Sequence, residues 1–488
     1  MSTIESTAER GPVGSLIFVV GALGLLSLTV LIGMNPLSVA PVVAIGILLV
    51  LGHQKLLAWP SLISLMLLVI LFVPMRRYTL PGSLPFELDP FRVVVLFVLA
   101  GWIASLLADP RVQFRRSGFE APLLLVLAAT FASILVNGDR VSHVGSSVAK
   151  ELTFFLSYLV VFFLIVSVSK ASHIDAFIKI LVGGGAVVAA CAIVESRTHV
   201  NPFDHLSTVI PFLQSHPDAH SAIDGRGFRA FGSAQHPIAL SAAFVLLLPI
   251  SLYLVQKSGT RRWWLAGGLL LTGTLATMSR TSVIMLLVVG LVFVWLRPRE
   301  MRRLWPAIIP ALVVIHVLLP GTLGTLKQSF FPTGGLVAQQ TANPGYTGQG
   351  RLADVAPALE KWSSDPVFGL GFGTRVIGAE GTDGQILDDQ WLGTLLETGI
   401  PGAVGWLWLM VLCIRRFAGA ARADRSSRGW LLTALAAAVA AFAAGMLFYD
   451  TFAFIQVSLL FFVLIALGSV VLRSDRSIQP VGGVEGIG

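Results

Sequence analysis

Apolar residues along this chain fall in separate runs of about 16 to 23, divided by short polar stretches. Each run is long enough to cross a hydrocarbon core of about 30 Å. Runs bounded by charge or by Pro and Gly predict fourteen spans, at about 15–33, 37–52, 57–74, 91–108, 120–136, 151–168, 174–194, 234–255, 263–278, 281–296, 304–320, 390–414, 430–447 and 451–472. Several are short, which sets the expected count at 12 to 14. The predicted fold class is all-α: a polytopic helical bundle in the membrane.

Composition agrees with that pattern. Of 488 residues, 55% are hydrophobic and only 12% charged, where a soluble protein carries about a quarter charged. Mean hydropathy is +0.82. These values exclude a soluble enzyme, a nucleic-acid-binding module and a secreted disulfide scaffold. Cys191 and Cys413 both lie inside apolar runs and read as small core residues. The basic balance, 34 Lys and Arg against 26 Asp and Glu, reflects loop charge in a chain of this kind.

The loops alternate in that charge. Twenty of the 34 basic residues belong to one side, nearly all in short loops, such as Lys257, Arg261, Arg262, Arg297 to Arg303 and Arg415 to Arg428. The positive-inside rule makes that side cytoplasmic. The opposite side holds two long segments, 195–233 and 321–389, with seven basic residues against eleven acidic. Both termini are therefore predicted inside and both long loops outside. Residues 1–14 lack the basic start of a signal peptide, so the first span is expected to be retained. No internal repeat or linker appears. One membrane domain over 1–488 is expected, with a large external loop at 321–389 and a Gly-rich tail, 477–488, outside the spans.

Three local patterns carry candidate chemistry. Trp263 to Leu296 is apolar except around Ser279-Arg280-Thr281. One helix of that length would reach about 50 Å, far beyond the bilayer, and both flanks are basic. The stretch is therefore a hairpin with Arg280 at its external tip. There Arg280 either faces protein, water or an anionic ligand, or snorkels to the headgroups. The segment from Gly225 to Pro237 sets Arg226 and Arg229 among glycines at the external entrance of a span. It reads equally as a phosphate-binding stretch and as an interfacial loop meeting lipid phosphate. His236, before Pro237, reads as a helix start.

The third pattern closes the large loop. Gly369-Leu370-Gly371-Phe372-Gly373 is followed by Asp388-Asp389 at the mouth of a span and by Glu397 about two turns inside it. The glycines do not signal a dinucleotide site, because no βαβ unit is possible here. Adjacent carboxylates repel, which can fit one of them to take a proton; the competing reading is a plain helix cap. Glu397 is expected to face the bundle interior as a hydrogen-bond acceptor. Residues 351–364 read as an amphipathic helix on the external surface, from which Arg351 can reach an anionic ligand. Arg76 and Arg77 are expected at headgroups, and Arg140, Lys150 and Glu151 in solvent.

Arginine forks suit a diphosphate, and fixed cations stabilise a departing phosphate. A diphosphate at an external membrane surface suggests a lipid-linked glycan. No metal-ligand spacing is present, so a metal-free mechanism without cofactor fits.

From about 225 to 410 the sequence resembles the O-antigen ligase and O-antigen polymerase superfamily, whose members carry the Wzy_C domain. Four elements carry the resemblance: RAFGSAQHP at 229–237, Ser279-Arg280-Thr281, GRLADVAPALEKWSSDPVFGLGFG at 350–373 and DDQWLGTLLETGIPG at 388–402. The resemblance implies a GT-C-type fold. It also implies an inverting, metal-independent transfer of a glycan from undecaprenyl diphosphate to a hydroxyl acceptor. By it, Arg229 and Arg280 match the family's diphosphate-contacting arginines. The family's last motif begins His-Asn, and those positions hold Asp388 and Asp389 here.

The expected function is thus a cell-membrane glycosyltransferase that polymerises or ligates a surface polysaccharide. Arg226, Arg229, Arg280, Arg351 and Glu397 are its candidate substrate-binding residues; Asp388, Asp389 and Arg280 are the catalytic ones. Its partners are an undecaprenyl-diphosphate-linked glycan donor, a glycan or lipid-glycan acceptor and the bilayer, with no nucleic acid. The alternative is a transporter or flippase of lipid-linked sugars or small solutes. Against it, ionisable groups are few inside the spans, Glu397 and Lys179 being the main ones.

Overall fold

Backbone amides in hydrocarbon have no water to bond, so apolar runs of this length must satisfy themselves as helices. In a computed structural model they do. It describes residues 58–80, 89–110, 112–210, 213–215, 223–224, 227–304, 306, 308–321, 324, 327–328, 330–331, 351–376 and 387–476. The chain is an all-α polytopic membrane protein. Seven helices among the described residues are long and apolar enough to cross a membrane, and three shorter apolar helices accompany them. Twelve of the fourteen expected spans coincide with helices. The other two, 15–33 and 37–52, lie outside the described residues, as does the tail 477–488.

The chain divides into two compact units, 1–65 and 66–488. Of the first, residues 58–65 are described, and Trp59 to Leu65 form the start of α1 (Trp59–Phe72). The second continues with a short strand β1 (Tyr78–Thr79), then α2 (Pro90–Ala108), α3 (Glu120–Val136), the short α4 (Gly138–His143), α5 (Gly145–Val168) and α6 (Ala171–Thr198). After a brief α7 (Leu206–Val209), strand β2 (Gln214–Ser215) pairs antiparallel with β1, and β3 (Ile223–Asp224) with β4 (Gly227–Phe228). Next come α8 (Pro237–Ser258), α9 (Arg261–Ala276), α10 (Arg280–Leu296), the short α11 (Pro298–Leu304) and α12 (Ile308–Leu318). The last elements are α13 (Arg351–Ser363), α14 (Gln390–Ala423), α15 (Ser427–Gly445) and α16 (Ile455–Arg476).

The core is built where α8 packs on α9 and α15, α10 on α15, α3 on α14, and α5 on α16. Phe244, Phe442, Phe461 and Phe462 are fully buried there, the Phe442 and Phe461 rings stacked 4.0 Å apart. At one end of the bundle the basic turns tie helices together. Arg297 donates to Ala421 O at 2.9 Å and Asp424 O at 2.8 Å, and Lys257 pairs with Asp175.

The opposite end carries the unusual sequence patterns, and a break in α14 organises it. Gly399 sits at φ 65°, ψ −163°, two residues before Pro401, and interrupts the helix. Helical carbonyls freed by the break are taken by other elements. Leu370 N–H donates to Leu396 O at 2.7 Å, and the Ser133 hydroxyl donates to Glu397 O. Ile400 N–H in turn donates to Pro366 O at 3.1 Å. A Cβ at Gly399 would stand 2.1 Å from Val367 O, and one at Gly369 would stand 2.6 Å from Leu396 O. Only glycine fits at either place. The 366–373 loop is therefore clamped against the first turns of α14, with α13 beside it: Ala358 packs with Leu387, Leu392 and Leu396.

Candidate active site

Two of the three sequence patterns meet at the α9–α10 turn. Arg229 is buried, 4% exposed, and its Nε donates to Thr277 O at 3.0 Å, three residues before Arg280. Ala230 N–H donates to Ala276 O at 3.4 Å, which lays the segment along the end of α9. Met278, at the apex, has φ 51°. A non-glycine residue held left-handed stores about 1–3 kcal/mol of strain, which persists only where the surroundings over-determine the turn. Arg280 begins α10 and is half-buried.

The segment carrying Arg229 is itself fixed by buried charge. Glu195, at the end of α6, accepts from Phe231 N at 3.0 Å and Gly232 N at 2.7 Å. Arg77 donates to Gly232 O at 3.0 Å, Ala234 O at 2.7 Å and Asp204 Oδ1 at 3.0 Å. Burial lowers the Arg77 pKa despite Asp204 and Glu195 nearby. The expectation of a headgroup contact is thus corrected for Arg77, which is 3% exposed. A lone sequence cannot show the three carbonyl and carboxylate oxygens that compensate it. Arg76, its neighbour, is exposed.

His236 starts α8, as expected. Its Nδ1 accepts from Ile238 N at 3.2 Å and its ring stacks on Phe454, 5.5 Å between centroids. Phe454 belongs to the 446–454 connector between α15 and α16, and this connector joins the first two patterns to the third. Ile455 N–H donates to Gln235 Oε1, Phe452 N–H to Gln390 Oε1, and Gln390 N–H to Met446 O.

Beyond the connector lies a cavity of about 160 Å³. Five charged groups line it: Arg76, Glu151, Arg375, Glu397 and Asp450. Arg375 Nε donates to Glu397 Oε1 at 2.7 Å, and its Nη2 pairs with Asp450 Oδ2 at 3.4 Å. Burial works against the Arg375 cation, but Glu397, Asp450 and Glu151 outweigh it and its pKa is raised. Burial pushes the Asp450 carboxyl above its ordinary range. Arg375 pulls the other way and Asp388 adds repulsion. The remaining walls are largely aromatic. Trp406 and Phe452 lie 4.4 Å apart between centroids, with Phe155 edge-on to Trp406 at 6.3 Å and Phe372 6.1 Å from Phe155.

Glu151 corrects a second expectation. It sits on α5, two turns from its start, and lines the cavity instead of lying in a solvated loop. Lys150, one residue earlier, is exposed. Helical spacing places neighbours on different faces, and the boundary of α5 lies six residues before the one expected.

The candidate residues at the mouth of α14 separate. Asp389 is the N-cap, its Oδ1 accepting from Leu392 N at 3.0 Å. Asp388, half-buried, is near enough to Asp450 to repel its charge. Glu397 is 6% exposed and committed to Arg375. Arg351 opens α13, and its side chain lies outside the described residues, as does all of Arg226. Sequence reasoning missed Arg375, Asp450 and Glu151 as site residues. Arg375 follows the glycine cluster by two positions, and Asp450 sits between two spans; neither position signals chemistry without the partner brought to it.

No curated protein matches the chain. The O-antigen ligase family model (Wzy_C) matches residues 265–407, from α9 through the break in α14. This stretch holds Arg280, Arg351, Arg375, Asp388, Asp389 and Glu397, while Arg229, Glu151 and Asp450 join it from outside. The match supports placing the protein in the O-antigen ligase and polymerase superfamily, as a membrane enzyme acting on surface polysaccharide.

Proposed function

We infer that the protein is a glycosyltransferase that polymerises or ligates a surface polysaccharide from an undecaprenyl-diphosphate-linked donor. The reaction takes place on the extracytoplasmic side. The observation that carries this reading is the meeting of Arg229 with the turn that presents Arg280, at the end of the bundle away from the basic turns. Two guanidinium groups on a rigid turn suit a diphosphate, and positive charge fixed beforehand stabilises the charge that develops as the diphosphate leaves.

In this reading the acceptor hydroxyl oxygen attacks the anomeric carbon of the donor from the face opposite the diphosphate, with inversion. The new C–O bond forms as the bond to the diphosphate breaks, and that electron pair departs with undecaprenyl diphosphate. The hydroxyl proton passes to Asp388, whose neighbour Asp389 caps α14. Positive charge at the leaving group comes from Arg229 and Arg280, so the transfer needs no metal. Arg226 and Arg351 are assigned to donor binding from the sequence alone, and Glu397 holds Arg375 in place.

Arg280→Ala is expected to lower transfer by about 10²–10³-fold, the usual loss when one fixed transition-state donor is removed, at unchanged protein level. Transfer retained in that variant, measured with membranes and lipid-linked donor, would remove Arg280 from the mechanism.

A further inference from the structure

A groove separate from the charged cavity runs down the seam where α2 packs beside α5. Among the seven long apolar helices described, α2 has the smallest buried share, 22% against 50% or more in the rest. Leu96 of α2 and Leu156 of α5 both line the groove and are exposed. In a membrane protein such a surface meets lipid.

The two ends of the groove differ. One end adjoins the candidate active site, since a Cβ at Gly373 would stand 3.0 Å from Val148 Cα of α5. There α5 begins at Gly145. No side chain caps it, so its first amides lie outside the helical ladder at the positive end of the dipole. Ser146 and Ser147 of this turn line the groove, as does the exposed Lys150 one turn on. Across the seam, Arg92 is engaged by Asp89 at 3.4 Å and lies 4.5 Å over the Phe154 ring. The cation left for a ligand is Lys150. A helix start, two hydroxyls and an ammonium on one spot favour an anion such as a phosphate.

Below this turn the polar side chains satisfy themselves. Thr153 Oγ1 donates to Ala149 O at 2.6 Å, and Ser157 Oγ donates to Thr153 O at 2.7 Å. Val95, Leu99 and Val160 supply apolar wall there. Three residues beyond Leu99 and Val160, aromatic rings close the seam: Phe114 lies 6.3 Å from Trp102 of α2 and 5.1 Å from Phe163 of α5. From Arg92 to Trp102 the helix rises about 15 Å at about 1.5 Å per residue. That is half of a hydrocarbon core of about 30 Å, the depth of one leaflet. An acyl chain of a phospholipid matches this depth, and a far longer polyprenyl chain does not.

We propose that the α2–α5 groove binds an anionic phospholipid of the leaflet next to the candidate active site. Its phosphate sits on Lys150 and the first turn of α5, and one acyl chain lies along Val95, Leu99 and Val160. Phe154 connects this lipid to the active site. The ring carries Arg92, has Arg76 at 5.3 Å, and lines the charged cavity. A lipid seated against Arg92 steadies that wall. The inference does not depend on the transferase reading.

The test uses full-length protein in nanodiscs of equal parts phosphatidylglycerol and phosphatidylcholine. A photoreactive residue is placed by Leu96→p-benzoylphenylalanine in one sample and by Leu407→p-benzoylphenylalanine in another. Both leucines are 55% exposed, so Leu407 reports contact with bulk lipid. The ratio of phosphatidylglycerol to phosphatidylcholine captured at 96 is expected to exceed that at 407 about fivefold, the effect of one cation near the membrane surface. Lys150→Ala lowers the ratio at 96 to that at 407, and Lys150→Arg keeps it high. Equal ratios at the two positions overturn the proposal, as does a ratio at 96 that Lys150→Ala leaves unchanged. Capture of the chain's own residues 15–52, or of a second copy, gives the groove another occupant and also overturns it. Displacement of phosphatidylglycerol by equimolar undecaprenyl phosphate would reassign the groove to the isoprenoid lipid.

Discussion

At the scale of single residues, the two carboxylates that open α14 have different tasks. Asp389 accepts from Leu392 N and caps the helix, while Asp388 lies near enough to Asp450 to repel its charge. Asp389→Asn keeps an N-cap and is expected to keep transfer. Asp389→Ala costs about 0.5–2 kcal/mol of stability by losing the cap. Asp388→Asn leaves stability unchanged and abolishes transfer. Thermal unfolding and transfer rates on the three variants check the division; loss of transfer in Asp389→Asn would assign the proton to the wrong carboxylate.

The Arg375–Glu397 pair is buried enough that its halves depend on each other, at 18% and 8% side-chain exposure. Arg375→Ala strands the Glu397 carboxylate, and breaking such a pair costs about 3–5 kcal/mol. The double variant Arg375→Met, Glu397→Gln removes both charges and is expected to recover most of that stability without recovering transfer. Denaturation in detergent distinguishes the outcomes, since a double variant as unstable as the single one would mean that the pair is not what Arg375 stabilises.

Asp450 gives the pH dependence its sign. Its carboxyl is pushed up by burial, so it remains protonated at a pH where an ordinary aspartate is ionised. Lowering the pH through that raised pKa removes a negative partner of Arg375. Transfer is therefore expected to fall on the acid side at a pH above the usual carboxylate range, and Asp450→Asn to erase that limb. A pH–rate profile with the same acid limb in Asp450→Asn would exclude Asp450 as its source.

At the scale of elements, the break in α14 is what turns a loop and a helix into a site. A continuous helix would keep the Leu396 carbonyl for the Ile400 N–H, while Pro401, which has no N–H, leaves the Glu397 carbonyl open in any case. The break at Gly399 releases Leu396 O to Leu370 N–H, the Ser133 hydroxyl takes Glu397 O, and the loop so anchored carries Arg375 to Glu397. Gly399→Ala combines an unfavourable φ with a Cβ 2.1 Å from Val367 O. It is expected to cost more than the 1–3 kcal/mol of strain alone and to abolish transfer. A stable, active Gly399→Ala protein, judged by melting temperature and rate, would show that the break is incidental.

Elements were also the most legible part of the sequence. Apolar runs mark helices because lipid permits no other local answer, and twelve of the expected spans have helices at their positions. The hairpin with Arg280 at its tip followed from length and flanking charge alone. What the sequence hid depends on long-range pairing. Arg77 and Glu151 look like surface charges until Asp204, the 232–234 carbonyls and Arg375 are brought to them. Arg375 and Asp450 lie 75 residues apart, and neither sits in a local pattern.

At the scale of the molecule, charge is sorted twice. Basic turns such as Arg297 and Lys257 gather at one end of the bundle, and the strained turn, the broken helix and the cavity gather at the other. Within that second end, arginine at the α9–α10 turn is separated from the carboxylate cavity by the 446–454 connector.

The most direct measurement is the lipid-linked glycan content of membranes with and without the protein, scored by leaflet and alongside finished surface polysaccharide. Loss of the protein is predicted to accumulate undecaprenyl-diphosphate-linked units on the outer face while polymer disappears, and Arg280→Ala to reproduce that state. Units trapped on the inner face, or an unchanged pool with polymer intact, would contradict the account.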